Sequence, residues 1–395
     1  MKVCNKNFPL LWLAPVLAST MFSAQTSASE NFFEALSSGK VSGSLRLRSE
    51  TVDDSVNKDA HAATLRTRLG YTTADYQGFS GTLEFDNTSV FAGQDRYAPE
   101  TPGYAVVADP RVSELNQAFV RYQSAFGVAA QLGRQRIVLD NQRFIGAVGW
   151  RQDDQTFDAL HTRYQHNNLT FTYAYVDKVN GITPAFDADV SHHLANINYL
   201  WTPALNSTAY LYRLNDDKDT LSADKNSRTA GVRLSGKTAA GAATIQYTGE
   251  FAQQSARDFE ADYWLAELGI TLGNYNLTLG YENLGSDKGA YGFQTPLATK
   301  HAFNGWVDKF LNTPVTGLQD IYLRGGLILG DINLALAYHR FAADYGSADY
   351  GDEFNAMAQW KLNKNITTGL KYANYQADNF SADTDKFWVW AELTF

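Results

Sequence analysis

Arginines spaced two residues apart are the most chemically pointed feature of this sequence: Arg46 with Arg48, and Arg66 with Arg68. In an extended segment, residues i and i+2 share a face. Each pair therefore sets two guanidinium groups side by side, a geometry suited to carboxylates, phosphates and sugar acids. Catalytic chemistry has less support. The histidines at 61, 161, 166, 192, 193, 301 and 339 fall in no motif with a serine and a carboxylate, and no GxSxG, HExxH or Walker loop occurs. His301 and Asp308 are two ligand types at a spacing too weak for a metal site, so packing is the expected role and no metal or cofactor is implied. The single cysteine, Cys4, excludes a disulfide framework or a thiolate centre.

The elements that carry these arginines alternate apolar and polar residues. In 41–48, Val41, Leu45 and Leu47 lie on one face, and Ser42, Ser44, Arg46 and Arg48 on the other. The same pattern recurs at 63–71, 277–282 and 334–339, about 18 times between Val41 and Phe395, with no sustained helical period. The breaks between runs alternate in length. Short ones fall at 74–78, 166–167, 202–205, 273–275, 330–331 and 363–365, long ones at 91–112, 139–154, 179–190, 216–226, 286–318 and 377–385. Short turns on one side, long loops on the other and an even strand count predict an all-β fold: a transmembrane antiparallel up-and-down barrel of about 18 strands. Tyr71, Tyr122, Tyr164, Trp201 and Trp360 sit on the apolar face just before short turns, where an interfacial aromatic girdle belongs. A soluble sandwich or propeller predicts no such girdle.

Residues 1–28 read as a secretory signal peptide, with Lys2 and Lys6 before an apolar stretch at 10–22 and small residues Thr26, Ser27 and Ala28 at the end. Residues 29–395 are then the barrel, and losing two lysines takes the net charge from −9 to −11. A pI of 5.3 without a basic tract excludes nucleic acid as a partner. A mean hydropathy of −0.32 is too polar for a helical membrane bundle. The bacterial outer membrane is the expected location, and its lipid the first partner. The chain ends KFWVWAELTF, with Phe387, Val389, Ala391, Leu393 and Phe395 on the outward face. Its terminal aromatic resembles the signal read by the barrel-assembly machinery.

Two segments are specific enough to suggest a family: GRQRIVLDNQRFIGAVGWRQDDQTFDAL at 133–160 and FQTPLATKHAFNGWVDKFLNTPVTGLQDIYL at 293–323. Together they resemble the alginate export family of outer-membrane β-barrel proteins. The resemblance implies a porin-like channel of Gram-negative bacteria.

With the apolar face in lipid, the alternate residues meet the lumen. The basic set is Arg46, Arg48, Arg66, Arg68, Arg121, Arg163, Arg213, Arg233 and Arg324, joined by Lys361 and Lys371. The acidic set is Glu84, Glu250, Glu267 and Glu282, joined by Asp86 and Glu392. Arginine at the lipid midplane costs about 2–4 kcal/mol, so this parity is strongly specified. Two readings of the charges stand: a basic wall on early strands facing an acidic wall on strands 11–13, or local pairing such as Arg66 or Arg68 with Glu84. Arg134 and Arg136 break the parity; a bulge at Gly133 or an early exit into the loop would turn them inward. With Arg143 and Arg151 they make 139–154 a candidate constriction loop, an ordinary surface loop being the alternative. The loop at 286–318 carries Phe293, Phe303, Trp306, Phe310 and Leu311, too apolar for a solvated surface, and is expected to act as a lid or plug. Trp388 and Trp390 face inward, either to stack on sugar rings or to pack against Phe32 and Phe33.

The expected function is passive diffusion of small polar or anionic solutes, saccharides among them, through an arginine-lined lumen, with no reaction catalysed. Export of an anionic polysaccharide such as alginate is the alternative, and an outer-membrane hydrolase the remoter one.

Overall fold

The computed structural model describes residues 31–219 and 222–395. The expected signal peptide and Cys4 lie outside the described residues. After a short helix, α1 (Phe32–Ser37), eighteen strands follow: β1 Lys40–Asp54, β2 Ala60–Thr72, β3 Phe79–Arg96, β4 Val112–Gln123, β5 Val128–Gln135, β6 Thr156–His166, β7 Leu169–Asn180, β8 Ala188–Thr202, β9 Leu205–Leu214, β10 Ser227–Ala240, β11 Ala243–Ala256, β12 Phe259–Leu272, β13 Tyr275–Leu284, β14 Leu318–Leu329, β15 Ile332–Ala342, β16 Asp349–Lys361, β17 Ile366–Ala377 and β18 Thr384–Thr394. Each pairs antiparallel with its sequence neighbours, and β1 pairs with β18 from Ser44↔Thr394 to Asp54↔Thr384. The sheet is therefore a closed barrel. Closure satisfies every strand edge, which a lipid-embedded backbone requires.

At the seam the chain end is locked in. The Gly43 and Phe395 backbones exchange hydrogen bonds of 2.9 and 3.0 Å. A Cβ on Gly43 would lie 2.3 Å from the Phe395 ring, so the glycine leaves room for that ring where it sits. On the outer face Leu277, Leu279 and Tyr281 are 47%, 57% and 37% exposed, while their neighbours Asn276, Gly280 and Glu282 are buried. The wall is thus apolar outside and polar inside, the reverse of a soluble protein. Turns such as 167–168, 203–204 and 273–274 cap the periplasmic end, where both described chain ends lie.

Two expectations are corrected here. Arg213 is not in the lumen: on β9 Tyr210 and Tyr212 are buried inward, and Arg213 is exposed on the outer face with Leu211. Trp388 and Trp390 do point inward, but not at Phe32 and Phe33. Phe32 packs on Tyr76 (6.0 Å between centroids), and Phe33 is 78% exposed.

Candidate functional site: a lumen crossed by three loops

The interior is filled from the extracellular end by the segments 97–111, 136–155 and 285–317. Arg46 and Arg48, on the inward face of β1, meet the middle one. Arg46 Nε donates to Gln152 Oε1 (2.8 Å), and its other nitrogens donate to the Gly149 and Arg151 carbonyls. Arg48 donates to the Trp150 carbonyl and ion-pairs with Asp109 of the first loop. Gln152 Nε2 in turn donates to Thr64 Oγ1 on β2 (2.9 Å). The paired arginines therefore hold protein, using the fork geometry that suits carbonyl and carboxylate oxygens.

The loop continues to the opposite wall. Arg143 donates to Glu282 of β13 (2.7 Å) and to Asn304 of the third loop (2.9 Å); Tyr263 of β12 also donates to Glu282 (2.7 Å). Arg151 pairs with Glu50 of β1 (3.0 Å) and with Asp308 (2.8 Å). Phe144 packs among Tyr210, Tyr263 and Phe293, with centroids 5.2, 5.3 and 5.9 Å away. The second and third loops are also tied to each other: Gly146 N donates to Leu297 O (2.8 Å) and Thr299 Oγ1 to Gln142 Oε1 (2.7 Å). They form one body that spans the lumen.

His301 and Asp308 lie within that body. Their Nδ1–Oδ1 separation is 2.7 Å, and His301 Nε2 is 2.6 Å from Lys371 Nζ. Burial pushes the imidazole down to about 3, so the neutral ring gives its Nδ1 proton to Asp308 and accepts from Lys371. Trp150 stacks on His301, Trp388 and Trp390 meet Trp150 edge-on, and Lys371 lies 4.2 Å and 3.9 Å from the Trp150 and Trp306 rings.

Local pairing dominates the interior. Arg68 pairs with Asp86 and Asp154, Arg66 with Glu392, Arg136 with Glu84 and Asp154, Arg233 with Glu250, and Arg324 with Glu267. The Arg68–Glu84 separation is 3.9 Å, one of the local pairings expected from the sequence. Arg121 and Arg163 lie inward nearer the periplasmic end, beside Gln123 and Gln165 respectively. Of the residues in the candidate constriction loop, Arg134 stays on the outer-face register. It stands opposite Asp158 (2.8 Å), because the ladder through Gly133 runs on without a bulge. Arg136 enters the lumen because β5 ends at Gln135.

Sequence reasoning missed Glu50, Asp109, Asp154, Gln152 and Asn304. Glu50 was readable, sharing parity with Arg46 and Arg48. Asp109 and Asn304 carry no local signal, since their partners are 61 and 161 residues away. Asp153 is buried, and burial together with Glu114, Asp154 and Asp86 pushes its carboxyl up to about 9. A carboxyl raised in the folded state is most favourable when protonated, so this contribution declines as pH rises from about 4 toward 9. Asp153→Asn should flatten the decline in thermal stability over that interval; an unaltered pH profile removes Asp153 from it.

Residues 50–289 match the model of the alginate export family. No curated protein matches the chain. Among solved structures, Pseudomonas aeruginosa OccK9 (OpdG) superposes with a TM-score of 0.74 at 14% identity, covering 91% of this chain and all of that one. Acinetobacter baumannii OccAB4 gives 0.71 at 12% identity over 90% and 98% of the two chains. Pseudomonas aeruginosa OpdK, crystallised with vanillate, gives 0.72 at 11% over 90% and 98%. At such identities the likeness establishes the fold. With the family match and the closed 18-strand wall, it establishes the chain as a member of the alginate export family, built as an outer-membrane channel.

Proposed function

We propose that the protein lets small anionic solutes diffuse passively across the outer membrane, without catalysing a reaction. One observation carries the reading. Toward the periplasmic end the inward side chains include Arg121, Arg163, Lys237 and Lys361, whereas the inward carboxylates Glu84, Glu267 and Glu392 are each paired, to Arg136, Arg324 and Arg66. That vestibule has positive charge in excess, which raises the local concentration of anions and lowers their entry barrier. The vanillate carried by OpdK is a small carboxylate of the kind this field suits. Phe395, fixed against Gly43 at the seam, is proposed as the residue the assembly machinery reads.

The family match favours a second reading, export of an anionic polysaccharide. A polymer needs a continuous wide passage, and the joined loops oppose that. Loss of an exporter should trap polymer in the periplasm; loss of a porin should impair growth on a small solute.

Arg121→Gln with Arg163→Gln tests the charge argument. In planar bilayers under a salt gradient, the double variant should lose most of the wild-type anion preference, with the largest difference at low salt, where screening is weakest. A reversal potential identical to wild type would remove these arginines from selectivity.

A further inference from the structure

On the outer wall, toward the extracellular end, three adjacent strands set basic side chains in one row. His193 of β8 stands opposite Arg213 of β9, and Arg213 opposite Arg228 of β10. Like charges directly opposite one another destabilise a sheet. Both arginines are exposed, and acids near them in the chain are engaged elsewhere: Asp187 with Lys178, Asp189 with Lys218, Asp216 with Lys225, while Asp217 accepts from Ser191. Among the described residues no carboxylate pairs with Arg213 or Arg228. The row lacks the anion its geometry calls for.

Its height on the wall says which anion. Directly below on the same face lie Leu211, Ala230 and Val232, then Phe251 against Trp264 at 4.3 Å. The arginines thus begin where the apolar belt ends, at the level of outer-leaflet headgroups. Tyr173 adds a phenol 2.8 Å from His193 Nδ1. Elsewhere the rim is mixed, with His61 opposite Arg96 on β2 and β3 and acidic or paired positions on other strands. Arg340 is paired with Asp349 (3.0 Å), Asp53 stands opposite Asp385, and Glu260 and Asp262 share the outward face of β12.

We propose that the β8–β10 face binds the phosphorylated headgroup of an outer-leaflet glycolipid. Arg213 and Arg228 hold the phosphate, and Leu211 and Val232 lie along the acyl chains. Charge complementarity and continuity with the lipid belt select this occupant.

The test uses the purified full barrel in detergent and deep-rough lipopolysaccharide, either with its lipid A phosphates or enzymatically dephosphorylated. Wild type should bind the phosphorylated form about tenfold more tightly, and Arg213→Gln with Arg228→Gln should abolish that difference. Arg340→Gln, on another part of the rim and already paired, should bind as wild type. Heat-modifiable gel mobility confirms that each barrel is folded. If the double variant does not fold, the comparison of the two lipids on wild type decides. Equal affinity for both lipids, unaltered binding by a folded double variant, or full competition by millimolar inorganic phosphate would each overturn the proposal.

Discussion

Removing residues 141–150 should raise single-channel conductance by about threefold or more, because the deleted segment carries Arg143, Phe144 and Trp150, which bridge the two walls. Ion flow through a pore is limited by its narrowest wet cross-section, and we propose that this segment sets it. The strands on either side are unaffected by the deletion, since β5 ends at Gln135 and β6 begins at Thr156. The remaining third loop loses its bonds to Gln142 and Gly146, so the effect exceeds the volume of ten residues alone. Anion preference should persist, because Arg121 and Arg163 remain on the wall. Conductance equal to wild type would mean that ions pass elsewhere and that the loop does not narrow the path.

Arg143→Ala should release the same loop without shortening it. Arg143 and Glu282 are both 3% exposed, and Glu282 keeps only neutral donors, Tyr263 and Asn304, once the guanidinium is gone. Leaving one member of a buried pair uncompensated costs about 3–5 kcal/mol. The barrel wall does not depend on this pair, so the cost is expressed as local opening. Amide exchange over 139–150 should accelerate by about 100-fold or more while the strands stay protected. Arg143→Lys should fall between, since an ammonium restores charge but not the fork that reaches Glu282 and Asn304 together. If exchange in this segment is unaltered in Arg143→Ala, the loop is held by its aromatic contacts instead.

The wall was legible because lipid and water impose opposite demands on successive residues. Runs such as Leu277–Thr278–Leu279 admit one register, and the eighteen runs read from the chain are the eighteen strands found. Errors arose where a residue type suits both environments. Arg213 read as inward; on β9 it is Tyr210 and Tyr212 that turn in, where Phe144 gives their rings a packing partner and Glu250 accepts from Tyr210. Strand β5 read as ending at 138, yet it stops at Gln135, and that shorter end is what admits Arg136 to the lumen. The charge balance was misread for a different reason. Asp109, Asp154 and Asp308 reach the lumen on loops, and a pattern confined to strand parity cannot count them. Arg48 and Asp109 lie 61 residues apart and Arg143 and Glu282 lie 139 apart, so only closure of the barrel brings them together.

Solute flux into liposomes containing the wild-type barrel tests the account most directly, using three solutes side by side: a small aromatic monocarboxylate, a neutral sugar of similar size, and a polyuronate. The carboxylate should enter fastest, the sugar more slowly, and the polymer not at all. Entry of the polymer, or the sugar passing as fast as the carboxylate, would contradict a loop-narrowed path selected by the basic periplasmic vestibule.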